Sequence, residues 1–180
     1  VKGKLMSLVN LPKIFLGMLI LMFGLTIAPS SNMESINFIK PVQVNVDMKQ
    51  LKCMANNIYF EAGHEGLLGM AAVARVVMNR VSHGFSSTPC GVINQSTISN
   101  DKKMCQFSWV CEGKSTPTVR NHRYRQAEQV AYDVLVNNRY TDVLPKTALF
   151  FHNTTIDPLW PYKKVAQIGN HIFYSKSKRI

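Results

Sequence analysis

The sequence predicts a mainly α fold of the α+β class, a helical domain with a small β element late in the chain. Three observations predict it. After Asp47, the residues Met48, Leu51, Met54, Ala55, Ile58 and Tyr59 recur at helical spacing. From Leu67 to Val81 the chain is apolar almost all round, with only Arg75, Asn79 and Arg80 polar, the pattern of a helix buried through the middle of a domain. Near the end, "TALFFHN" and "NHIFYS" read as short strands. With 180 residues, 46% hydrophobic and 17% charged, the chain can bury one real core but not comfortably two.

Taken in order, the chain opens with the basic "VKGKLMSLVNLPK", an uncharged run of 15 residues, "IFLGMLILMFGLTIA", and the small polar "PSSN". That is the layout of a signal peptide, or of a retained signal anchor in which residues 14–28 hold the membrane. Either reading of residues 1–30 sends the remainder out of the cytoplasm, to the periplasm or cell envelope. Residues 31–46 read as a linker, and residues 47–180 as the exported domain. Asp47 followed by Gln50 is a capping-box signature for the first helix. That helix is expected to run to about Phe60 or Ala62 and stop at Gly63. From Ser82 to Val119 the pattern dissolves into small polar residues and cysteines, the kind of irregular region that walls a cleft. A third helix is expected from about His122 to Asn137, with Tyr124, Ala127, Val130, Ala131, Val134 and Leu135 inward.

The formal net charge is +11, and from residue 31 onward 18 basic residues face 10 acidic ones. Such a surface favours polyanions, including those of a bacterial wall. No basic helix with base-reading residues and no interleaved aromatic and basic strand stands out, so nucleic acid is not the expected partner. Cys53, Cys90, Cys105 and Cys111 are an even count in a chain bound for an oxidising space. Two disulfides are therefore expected, with three connectivities open. A zinc site would want closer spacings, since even Cys105 and Cys111 have five residues between them.

The carboxylates of "YFEAGHEG" carry the sharpest question. Glu61, flanked by Tyr59 and Phe60 at a helix end, is expected to be partly desolvated, and both burial and the negative end of the helix dipole disfavour its anion. A carboxyl still protonated near neutral pH donates a proton to a glycosidic oxygen. A solvated Glu at a helix end is the plain alternative. Glu65 lies just before the next helix, where a carboxylate gains from the dipole, and is read as structural. His64 and Glu65 begin an H-E-x-x-H zinc motif, but Leu68 stands where its second histidine belongs. His152 and His171 lie in or beside the strand-like runs, where a histidine is more often structural. "CQFSWVCEG" packs Gln106, Phe107, Ser108 and Trp109 between two cysteines. These residues suit a saccharide groove, and equally a disulfide-stapled turn with its aromatics in the core.

"NIYFEA", "GMAAVARVVMNRV", "CGVINQ", "CQFSWVCEG", "FFHNTTIDPLW" and "IGNHIFY" occur in that order. Together they resemble the cell wall hydrolase family typified by spore cortex-lytic enzymes of the SleB type, over roughly residues 50–175. The resemblance implies a lysozyme-like helical catalytic domain with a small β-containing insertion, acting on peptidoglycan glycan strands as a lytic transglycosylase. The family's catalytic glutamate falls on Glu61. Asn79, Arg80, Gln106, Phe107, Ser108, His152, Trp160 and His171 match groove or scaffold positions, and Tyr59 and Trp109 join the expected substrate-binding set. No metal and no cofactor is expected. The chain reads Glu-Ala-Gly-His-Glu where the family commonly has Glu-Ala-Arg-Gly-Glu, and Met70 stands in place of a usual Gln. Two other readings are a zinc-dependent amidase of the stem peptide using histidines and Glu65, and a catalytically weak wall-binding protein.

Overall fold

The computed structural model describes residues 47–117 and 121–178. The expected signal segment and linker lie outside the described residues. Helix α1 (Met48–Ala62) begins at Asp47, whose side chain accepts from the amides of Lys49 and Gln50 at 2.9 and 3.2 Å. Gln50 does not complete a capping box; its Oε1 instead accepts from the backbone N–H of Cys90 at 2.9 Å. Gly63 ends α1 as expected, but in right-handed backbone (φ −63°), its N–H donating to the Tyr59 carbonyl. Close approach, rather than a left-handed turn, calls for glycine, because a Cβ there would collide with that oxygen.

Helix α2 (Leu67–Ser82) is the buried axis the sequence predicts, with Met70 to Val77 out of solvent. Its N-cap is Gly66, with no side-chain cap. Glu65, expected to cap α2, turns its carboxylate instead to Asn170, accepting from the backbone N–H at 3.3 Å and from Nδ2 at 3.1 Å. The buried polar residues of α2 fasten later chain. Arg75 donates to the carbonyls of Arg139 and Tyr140, Asn79 to those of Pro145 and Ala148, and Arg80 to that of Leu149 at 2.7 Å. A helix buried all round still needs partners for such groups, and here they position the chain that enters the sheet.

The region from Ser82 to Val119 is more regular than its composition suggests. It holds α3 (Pro89–Ile93), a hairpin of β1 (Ser96–Ser99) and β2 (Lys102–Cys105), and the single turn α4 (Ser108–Cys111). A β element therefore also occurs in mid-chain, not only late. Its strands are almost wholly exposed, so no buried alternation marks them in the sequence. The cysteines pair as Cys53–Cys90, tying α1 to α3, and Cys105–Cys111, tying β2 to α4. Helix α5 (His122–Leu135) stops two residues before the expected Asn137. It packs Tyr124, Ala127, Val130, Ala131 and Val134 into the core with α1 and α2.

Strands β3 (Ala148–Asn153) and β5 (His171–Lys178) sit where "TALFFHN" and "NHIFYS" place them, antiparallel and adjacent. A third strand, β4 (Tyr162–Ile168), pairs with the other edge of β5 in the order β3-β5-β4. The sequence leaves β4 as a connection because it is an edge strand with no fully buried residue. Register shifts at both Tyr162/Lys163 and Lys164/Ala166 further break its alternation. Buried Phe173 of β5 joins Ala72 and Val76 of α2 in a second core cluster, which seats the sheet on the central helix.

Candidate active site

Glu61 stands on the last turn of α1 and opens into a cleft of about 290 Å³ lined by Arg80, Gln106, Phe107, Ser108, Phe150, Phe151 and Trp160. Four parts of the chain build it: the end of α1, the end of α2, the link from β2 into α4, and β3 with the loop that follows. Among the described residues no other acid lines it. A larger hollow of about 430 Å³ between Phe85 and the hairpin adjoins it at Gln106 but carries no titratable lining residue.

Burial pushes the Glu61 carboxyl up to about 7, because the anion loses its hydration among the aromatic walls. The charge of Arg80 opposes this rise, that of Glu112 adds to it, and that of Lys114 opposes it. Arg80 is only 3% exposed; burial lowers its pKa to about 10, opposed by Glu61, and it remains a cation at neutral pH. Its guanidinium lies 5.3 Å from the ring centre of Phe107, 5.8 Å from Phe150 and 5.9 Å from Phe85. Aromatic faces of that kind hold a buried guanidinium without neutralising it. The amide oxygen of Gln106, turned toward it, accepts from Nη1 at 3.2 Å and Nη2 at 3.3 Å. The result is a carboxyl poised near neutrality beside a fixed positive charge.

The structure brings Glu61, Arg80, Gln106, Phe107, Ser108 and Trp160 to one cleft, and the other expected site residues elsewhere. Trp109 is 8% exposed, donates Nε1–H to Asn57 Oδ1 at 3.0 Å and stacks on Phe60 at 4.9 Å. Its indole finds its partners inside the core. His152 is buried, with Nδ1 at 2.9 Å from the Asn153 carbonyl and Nε2 at 2.8 Å from the Tyr174 hydroxyl. A carbonyl only accepts, so Nδ1 carries a proton, and in the neutral ring Nε2 accepts from Tyr174. The ring meets Trp160 edge-on at 5.4 Å and so supports that wall from behind. His171 is also buried, T-shaped against Phe151 at 5.2 Å, with Nδ1 unpartnered. Burial lowers its pKa, against the pull of Glu65. Tyr59 accepts from Asn121 at 3.1 Å and faces a separate hollow with His64.

Phe150 and Phe151 are the cleft residues that sequence reasoning passes over. Both line the cleft although they are consecutive in a strand that pairs regularly with β5 from Phe150 onward; a register shift lies just before them, between Ala148 and Phe150. Met70, where the resemblance leads one to look for Gln, is 1% exposed in the helical core and does not line the cleft. Among the described residues no group of three His, Cys, Asp or Glu is placed to hold a metal ion.

A family model described as cell wall hydrolase matches residues 64–174, more than half of the chain. The chain belongs to that family. The matched segment starts just after Glu61 and contains the rest of the cleft. Two solved structures are similar over a larger share of the chain. The catalytic domain of the Bacillus cereus SleB protein shares 28% identity at a TM-score of 0.53, covering 71% of this chain and 91% of that one. The catalytic domain of the germination-specific lytic transglycosylase SleB from Bacillus anthracis shares 27% identity at a TM-score of 0.57, covering 73% and 98%. No curated protein matches the chain. The mixed helix-and-strand fold of this cell wall hydrolase is therefore that of the SleB catalytic domains.

Proposed function

We propose that this cell wall hydrolase is a peptidoglycan lytic transglycosylase in which Glu61 is the sole acid and base. The observation that carries the reading is a single carboxyl, held near neutral pKa by burial, in a cleft with no second acid. Protonated Glu61 donates to the glycosidic oxygen between N-acetylmuramic acid and N-acetylglucosamine. Its carboxylate then takes the proton of the muramic C6 hydroxyl as that oxygen attacks C1 and closes a 1,6-anhydro ring. An intramolecular nucleophile has a high effective concentration, so the second carboxylate of a retaining glycosidase is not needed. Phe107 and Trp160 offer platforms for sugar faces, and Gln106 and Ser108 offer polar contacts. The similarity to the catalytic domain of the Bacillus anthracis lytic transglycosylase supports the same chemistry.

The site of action is the cell envelope, reached through the leader in residues 1–30. Among the described residues no helix is long and apolar enough to cross a membrane, and the apolar run 14–28 lies outside them. Purified peptidoglycan incubated with the protein, with and without chelator, and read by mass spectrometry tests the chemistry. Anhydro-muropeptides that persist under chelation and disappear in Glu61→Gln are expected. Free stem peptides lost on chelation would replace this reading with a metal-dependent amidase, and no product at all would leave a wall-binding protein.

A further inference from the structure

Tyr59 and Phe60 precede Glu61 on α1, and Gly63 and His64 follow it. All four line a second hollow of about 290 Å³, completed by Lys114 and Arg123. It contains two cationic side chains and no acid. Lys114 is held by Glu112 at 2.5 Å, whereas Arg123 packs its Nη1 against the His64 ring, 2.6 Å from Nδ1. No carboxylate of the described residues pairs with Arg123. A guanidinium has five N–H donors and recognises planar carboxylates through two at once. One with only an imidazole for partner, at the mouth of a hollow walled by Tyr59 and Phe60, keeps that capacity for a ligand. The hollow shares no lining residue with the catalytic cleft, but it adjoins Glu61 in the chain on both sides, and the charge of Lys114, which lines it, acts on the Glu61 carboxyl.

We propose that this hollow binds the free carboxylates of the peptide branch on the glycan strand, with Arg123 as the principal grip and Lys114 as a second charge. The inference rests on reading Glu61 as the acid that cleaves that strand. The peptide leaves the strand from the muramic sugar whose C1 is attacked, so an acidic branch emerges beside the catalytic carboxyl. The lining favours such a branch over a further sugar, because it offers two cations and no side-chain amide. The Gly63–His64 pair contributes in its own way. Glycine lets the chain turn out of the helix close against the Tyr59 carbonyl, and His64 braces the guanidinium.

The test uses the full chain carrying Glu61→Gln, titrated by NMR with the free stem tetrapeptide, a ligand that carries no glycosidic bond. Saturable shifts at the ring resonances of His64, Tyr59 and Phe60 are expected. Affinity should fall about tenfold in the added variant Arg123→Gln and for the peptide with its carboxylates amidated. With Glu61 restored, Arg123→Gln should raise KM on peptide-bearing strands about tenfold relative to its effect on strands stripped of peptide, with kcat changed far less. Equal affinity in Arg123→Gln, shifts confined to the Glu61 cleft, or tighter binding of a glycerol phosphate polymer at His64 would each overturn the proposal. Peptide binding at His64 supports the site even if no anhydro-muropeptide is ever released, so its failure and that of the lytic reading are told apart.

Discussion

At pH 8 the Glu61→Gln chain should unfold at a higher temperature than the wild type, although its strand cleavage should fall by about 10²–10⁴-fold or more. Both effects follow from one burial. The folded-state pKa of Glu61 is raised from 4.5 to about 7. Its contribution to stability is therefore complete below the unfolded value and is lost as pH rises through about 7. By pH 8 the buried anion costs up to about 3 kcal/mol that an amide does not. Equal melting temperatures of the two chains at pH 5 and a gap at pH 8 would verify the sign. Arg80 sets the other side of the balance. Removing its charge in Arg80→Met should raise the Glu61 pKa and move the alkaline limb of the pH–rate profile to higher pH, because Arg80 holds that pKa down. An unmoved limb would show that the two charges are not coupled. The variant also loses the donor to Leu149, a deletion that leaves a carbonyl unpaired and costs about 1–3 kcal/mol. The helix end of Glu61 was legible from the glycine after it, whereas its burial was one of two readings, since the aromatic pair before it suits a desolvated carboxyl and a solvated one alike. Arg80, which lines the cleft, was placed among groove or scaffold positions by the family resemblance alone, since a cation near the end of an apolar helix is by itself equally consistent with a solvated one.

Elements were legible in proportion to how much of one face they bury. Helices α1, α2 and α5 each carry a long periodic or continuous apolar pattern and fall within a few residues of their expected bounds. The exposed hairpin β1–β2 and the edge strand β4 bury too little to leave a period. Each pairs across a tight turn with the strand next to it in sequence, and among the described strands β4 has only β5 beside it. The β4–β5 turn shows what then holds such an element. Gly169 has φ +54°, and a Cβ on it would strike the Glu65 carboxylate. Gly169→Ala should therefore cost about 1–3 kcal/mol through backbone strain and displacement of Glu65. In a double-mutant cycle Glu65→Ala should recover part of that loss, because it removes the collision but not the strained φ. Strictly additive melting temperatures would count against contact between the two.

For the whole molecule, the two disulfides constrain unequal spans, 37 residues for Cys53–Cys90 and 6 for Cys105–Cys111. In the chain-entropy account, opening the first should cost about 4 kcal/mol and the second about 2 kcal/mol. Chemical denaturation of Cys53→Ala/Cys90→Ala against Cys105→Ala/Cys111→Ala reads the difference, and a larger loss from the shorter span would contradict that account. The even cysteine count foretold two bridges. It did not foretell their pairing, which depends on α3 folding back against α1 through Gln50 and Cys90. The contact of Glu65 with Asn170 joins residues 105 positions apart, between the first helical corner and the last strand turn. It acts as a buckle on the chain, fastened only when the strand that bears His171 has been made and laid down. A growing or truncated chain can wind its helices and place Glu61 near Arg80, yet it lacks Trp160 and the sheet that braces it. Cleaving power should thus arise at the end of folding, in a single step, with no partly active fragment ahead of it.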